Sequence, residues 1–149
     1  MADYGRPLRL SFMVEKMSSR KATGTQWETA VVNYLRDKTS AKIFKPRQEG
    51  TADVGDIHIA EDHVLQCKNW AYWSKQDIYN FIDAADLQAS HAKRSYGAAV
   101  VKRRKAGGSS GAVSSGIVAM SLDSFAGILV DLEEGREALT TLEDMDTDE

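Results

Sequence analysis

One cysteine in 149 residues leaves Cys67 without an intramolecular disulfide partner. The fold must therefore be held by packing, and the thiol count points to a reducing, intracellular setting such as the cytoplasm. No apolar run approaches the length of a membrane span, and no signal-peptide core follows the first residues. No internal repeat is visible. Only two prolines occur, and the second, Pro46, ends a short apolar run. What remains is ordinary for one globular domain: 42% hydrophobic and 28% charged residues, enough chain to bury a core.

The formal net charge of −3 hides an asymmetry. Residues 131–149 carry nine acids against one arginine, while residues 1–130 carry 18 cations against 13 acids. A basic body suits a polyanionic partner. An acidic end reads as a solvated tail. The chain accordingly divides into a flexible basic arm over 1–22, one domain over 23–142 and a disordered acidic tail over 143–149.

Within the domain, Thr23-Gly24-Thr25 opens a helix reaching about Lys38, with Trp27, Val31, Val32 and Leu35 on its apolar stripe. Thr25 and Glu28 have the spacing of a capping box. The alternative turns Glu28 towards the strands as a carboxylate for chemistry. Ala41–Lys45 reads as a short strand. Asp56–Ile59 and Val64–Lys68 read as a hairpin, because Ile57 and Ile59 alternate with Asp56 and His58. Ser74 and Asp77 form a second capping box, opening a helix to about His91 with Ile78, Phe81, Ile82 and Ala85 inward. His91 has no partner at metal-ligand spacing. Tyr96–Val101 reads as a central strand and Gly116–Met120 as another. Asp123 or Ser124 caps a last helix that carries Phe125, Ile128, Leu129 and Leu132. Helices connecting strands of a mixed five-stranded sheet make an α/β fold.

The hairpin carries the chemistry. With a three-residue loop at Ala60-Glu61-Asp62, Ile57 pairs with Leu65 and Asp56 faces Gln66. A loop one residue shorter or longer puts Asp56 on the wrong face, unless a bulge corrects it. Gln66 and Lys68 share that face, since side chains alternate along a strand. An anionic oxygen, an amide oxygen and the Cys67 carbonyl are the hard donors that Mg²⁺ takes. A lysine beside them can orient or deprotonate water, or offset charge on a phosphate. Phosphodiester hydrolysis by metal-activated water is the reaction this surface suits.

Cations and aromatics surround these residues. Lys102-Arg103-Arg104-Lys105 runs into the Gly/Ser loop 107–111, which favours a phosphate-tracking element over a solvated strand end. It is no Walker loop, because the order of glycine, lysine and hydroxyl residues is wrong. Arg20, Lys21 and Arg47 are further phosphate candidates. Lys93 and Arg94 are either phosphate contacts or counter-charges to a helix C-terminus. Asn69-Trp70-Ala71-Tyr72-Trp73 either packs on the next helix or stacks on exposed bases.

Glu28 on a first helix, Gly55-Asp56-Ile57, and Val64-Leu65-Gln66-Cys67-Lys68 together resemble the PD-(D/E)XK nuclease superfamily, and within it the archaeal-type Holliday junction resolvases, including versions from phages. The resemblance spans about Thr23 to Leu132. It implies a restriction-endonuclease-like core, Mg²⁺ or Mn²⁺ dependence, and a homodimer that nicks four-way DNA junctions. Carried over, Asp56, Gln66 and the Cys67 carbonyl hold metal, Lys68 is the catalytic lysine and Glu28 the helix acid. Asp53 is a further carboxylate that assists, or replaces Asp56 under another register. The family's usual second acid is here Gln66, which weakens the expected metal site. Two alternatives therefore stay open: another nuclease of the superfamily, acting in repair or restriction, and an inactive module that binds branched DNA.

Overall fold

The computed structural model describes residues 8–104 and 111–146. Three helices, α1 (Leu8–Lys38), α2 (Lys75–His91) and α3 (Leu122–Asp146), accompany five strands: β1 (Ile43–Phe44), β2 (Ile57–Ile59), β3 (His63–Lys68), β4 (Tyr96–Val101) and β5 (Ile117–Ala119). The strands form one sheet in chain order. Only β3 and β4 run parallel. The connection between them is α2, as a parallel pair requires. The fold is thus the α/β arrangement with a mixed five-stranded sheet that the pattern predicts.

The sheet separates two apolar layers. On one face Trp27, Val31 and Val32 of α1 pack on Ile43, Ile57, Leu65, Ala98 and Val100. Trp27 also donates its indole N–H to the Val100 carbonyl at 3.2 Å, tying α1 to the central strand. On the other face Phe81 packs on Ala99 and Val101. Here α2 rides close to β4 because residue 97 is glycine: a Cβ there would stand 2.2 Å from the Ala85 carbonyl oxygen. Residues of β3 alternate between the layers, so Leu65 and Cys67 belong to the α1 side and Gln66 and Lys68 to the α2 side.

The capping box of α2 forms as its sequence predicts. Ser74 accepts from the Asp77 amide at 3.2 Å, and Asp77 accepts from the Ser74 amide at 2.7 Å. The other two helices depart from their predicted bounds. α1 begins at Leu8 and passes through Thr23-Gly24-Thr25 without a break. Residues 8–22, expected as a flexible arm, therefore have helical backbone, and Thr25 lies inside the helix instead of at its start. One internal glycine costs about 1 kcal/mol, which a helix already propagating on both sides absorbs. α3 likewise continues to Asp146, so residues 143–146, expected as disordered tail, are helical. Glu143 and Met145 there are good helix formers.

α3 also has no buried residue. Its apolar Phe125, Leu129 and Leu132 are exposed. The helix touches the sheet where Gly127 admits the Tyr96 ring and where Tyr96 donates its hydroxyl to Asp131 at 2.8 Å. That hydrogen bond to a carboxylate raises the pKa of the Tyr96 phenol.

Candidate active site

The hairpin register is the one that the three-residue loop requires. Ile57 opposes Leu65, His58 opposes Val64 and Ile59 opposes His63. Asp56 stands one step before Ile57, just outside the paired register, which ends at Ile57 opposite Leu65. Its approach is set by Gly55, whose φ of +88° lies in the left-handed region. A Cβ on Gly55 would fall 2.2 Å from Val64 Cγ1, so residue 55 must be glycine for Asp56 to reach β3. The Asp56 amide donates to the Leu65 carbonyl at 3.0 Å. Its carboxylate Oδ2 accepts the Cys67 amide at 2.6 Å.

Asp56 is the electrostatic centre of the group. Burial raises its pKa most, and the Cys67 hydrogen bond opposes that rise. Glu28 and Asp53 add to the rise, while Lys68 lowers it. The charges of two further carboxylates and one ammonium thus act on Asp56. Burial also pushes the Cys67 thiol far up, helped by Asp56 and Glu28, so this thiol stays protonated.

Gln66 is buried, and among the described residues its Oε1 has no hydrogen-bond partner. A buried amide oxygen left unpaired costs about 1–3 kcal/mol. Cys67 lends the main-chain carbonyl beside the amide that Asp56 holds, and within a strand both groups of one residue point to the same neighbour. An anionic oxygen and an unpaired amide oxygen, with that carbonyl alongside, are chemically suited to a hard divalent cation. Asp56, Gln66 and Cys67 are the residues that would hold one. Among the described residues, no three His, Cys, Asp or Glu side chains gather as a metal cage, so the site would lean on neutral donors.

The remaining expected site residues divide clearly. Glu28 forms no capping box. It pairs with Lys45 at 3.3 Å and acts on Asp56 from the α1 side. Asp53 is committed to its own loop: its carboxylate accepts the Gly55 amide at 2.9 Å and Gln88 Nε2 at 2.7 Å. With the hairpin register as it is, Asp53 need not replace Asp56. Lys68 Nζ lies over the Phe81 ring, 5.4 Å from its centroid, and among the described residues it forms no direct ion pair with Asp56.

The cations fall at two ends of the sheet. Lys102, Arg103 and Arg104 follow β4, and the Lys102 amide donates to the Lys68 carbonyl at 2.8 Å. They adjoin the site. Arg47 is exposed in the loop between β1 and Asp56, at the same end. Lys93 and Arg94 precede β4 and lie at the opposite end. Six residues of strand separate the ends by about 20 Å. Arg94 donates to the Ala60 carbonyl at 2.5 Å and rests over the Phe44 ring, so it secures the hairpin loop. The side chains of Arg20 and Lys21, and all of Lys105, lie outside the described residues.

A cleft of about 700 Å³ opens directly beside Lys68, between α1 and the segment after β3. Trp70, Tyr72, Asn69 and Arg104 line it with Lys68. Its walls are braced: Arg104 donates to Asn69 at 2.9 Å, and Asn69 donates to the Thr23 carbonyl of α1 at 3.2 Å. Nothing in the hydrophobic spacing marks Thr23 and Gly24 as cleft residues, because the cleft exists only once α1 crosses the end of β3.

No family model, curated protein or solved structure matches this chain.

Proposed function

We propose that the protein is a divalent-metal-dependent, structure-selective DNA endonuclease that resolves four-way junctions. One observation carries the reading: the Asp56 carboxylate takes the Cys67 amide, on the strand that also carries the unpaired Gln66 amide oxygen and Lys68, and Cys67 and Lys68 line an open cleft. The resemblance of the Gly55-Asp56 and Gln66-Cys67-Lys68 segments to PD-(D/E)XK nucleases adds to it.

In this reading Asp56, Gln66 and the Cys67 carbonyl hold Mg²⁺ or Mn²⁺. When bound, the cation supplies charge neutralisation for a phosphate and a more acidic water. Lys68 offsets negative charge on the phosphate and can hold or pass a proton at its Nζ. Glu28 restrains Lys45 and adds negative charge near Asp56, which favours cation binding. Arg47, Lys102, Arg103 and Arg104 engage flanking phosphates, a contact whose strength falls as salt rises. Two copies related by a two-fold axis would present two such sites to a near-symmetric junction. The exposed row of Leu122, Phe125, Leu129 and Leu132 on α3, at steps of three and four, with Leu139 seven residues further on, supports association of copies.

The test compares a labelled four-way junction, a flap and a linear duplex, each with Mg²⁺ and with EDTA. Selective junction cleavage in Mg²⁺ supports the proposal. Equal cleavage of all three leaves a repair or restriction nuclease. A second reading, an inactive module that binds branched DNA, draws on the neutral Gln66 and the scarcity of acidic donors. It predicts salt-sensitive junction binding and no cleavage in either Mg²⁺ or Mn²⁺.

A further inference from the structure

The cleft beside Lys68 has a composition that phosphate binding alone does not require. Tyr72 is 89% exposed, with its ring in the cleft lining. Exposure of a large ring at that level forgoes burial that would stabilise the fold. Trp70, also exposed, is held edge-on against Phe81, with centroids 4.9 Å apart and planes at 90°. That contact fixes the indole while leaving part of it open. A second hollow of about 510 Å³ shares Ala71, Tyr72 and Arg104 with the first and adds Trp73, Lys102 and Arg103. No acidic side chain lines either hollow among the described residues. Tyr72 therefore stands on the shared rim of two hollows, with lysines and arginines on both sides.

Aromatic faces interleaved with cations are the recognition chemistry of single-stranded nucleic acid: rings stack on bases and cations track phosphates. A duplex hides its base faces and could use only the cations. We propose that this cleft grips an unstacked base of a single-stranded segment, with the Tyr72 ring against the base and Arg104 and Lys102 on the adjoining phosphates. The inference deepens the nuclease reading, and rests on it for purpose: the scissile phosphate beside Lys68 would then neighbour an unpaired base, as at an opened branch point. The Asn69 bridge from α1 to Arg104 keeps the cleft formed before DNA arrives, which lowers the cost of ordering it on binding.

The experiment measures binding in EDTA, where no cleavage intrudes. A 12-nucleotide oligo-dT strand and a 12-base-pair duplex are titrated at low salt against the full chain and its Tyr72→Ala and Tyr72→Phe variants. At its exposure, Tyr72 can be changed without disturbing the core. The wild type should prefer the single strand. Tyr72→Ala should lower single-strand affinity about tenfold, from the loss of one stacked base, and leave duplex affinity unchanged. Tyr72→Phe should restore it, because the ring and not the hydroxyl makes the contact. An unchanged single-strand affinity in Tyr72→Ala, or an equal loss on both DNAs, overturns the proposal. Single-strand preference in a protein that cleaves nothing in Mg²⁺ upholds the cleft and removes the nuclease reading. Junction cleavage without single-strand preference does the reverse.

Discussion

The Asp56 carboxylate accepts the Cys67 amide at 2.6 Å, across eleven residues of chain. This bond replaces a rung of the β ladder at the end where β2 begins. It brings an acidic side chain to the strand edge that carries Gln66, the Cys67 carbonyl and Lys68. The proposed chemistry follows from that substitution of a side chain for a main-chain partner.

Asp56 bears a folded-state pKa above its ordinary value of 3.8, chiefly through burial. A carboxyl raised in this way binds more protons folded than unfolded. Its contribution favours the fold below about pH 3.8 and is lost as pH rises through the raised value. Asp56→Asn removes that penalty while keeping an oxygen to accept the Cys67 amide. In metal-free protein at pH 7, Asp56→Asn should melt higher than wild type. Adding Mg²⁺ should raise the wild-type melting temperature and leave the variant unmoved, since only the binder gains by mass action. Thermal melts of both proteins across a Mg²⁺ series check this.

The unpaired Oε1 of Gln66 makes Gln66→Glu informative in two directions. A glutamate there adds a carboxylate to a buried site already shared by Asp56 and Glu28. The metal-free protein should lose stability, because like charges disfavour ionisation of one another. The Mg²⁺ concentration for half-maximal cleavage should fall at the same time. Metal titrations of cleavage and metal-free melts read the two effects separately.

Gly55 holds φ at +88°, and its missing Cβ makes room for Val64. Gly55→Ala should destabilise the fold by about 1–3 kcal/mol from backbone strain alone, and further from the collision. At this chain length that is a drop of several degrees in melting temperature. Cleavage should fall more steeply than stability, since residue 55 sets where Asp56 stands.

Much of this arrangement was legible in the chain, and the reasons are local. Alternation in Asp56–Ile59 and the three polar residues after it determine the hairpin register, because period 2 leaves one pairing with Asp56 and Gln66 on one face. Ser74 and Asp77 announce their helix through a bond between near neighbours. The errors arose where a local signal met a longer-range one. Thr23-Gly24-Thr25 reads as a helix start, yet helix on both sides carries through the glycine. Phe125, Leu129 and Leu132 read as apolar positions of a helix, but such a pattern shows only which residues are apolar, and among the described residues none of α3 is buried. Arg94 reads as a phosphate contact until Ala60 is seen 34 residues back in the chain beneath its guanidinium. The cleft was not legible at all, since Gly24, Lys68 and Arg104 come together only through the crossing of α1 over the strand ends.

Cys67 sits between the catalytic candidates with its thiol pKa raised by burial and by the charges of Asp56 and Glu28. The thiolate is the reactive form. Alkylation of native protein at pH 8 should therefore be slow, and should become fast after unfolding. Mass spectrometry after timed iodoacetamide exposure reads both rates.

The central claim is that Lys68 and the Asp56 group together cleave DNA. The most direct measurement is the initial rate of product formation from a labelled four-way junction in Mg²⁺, with wild type and Lys68→Ala compared at equal bound fraction. We expect paired nicks from the wild type and a loss of at least about a hundredfold in the variant. An intact junction after incubation with wild type, or equal cleavage by Lys68→Ala, contradicts the account.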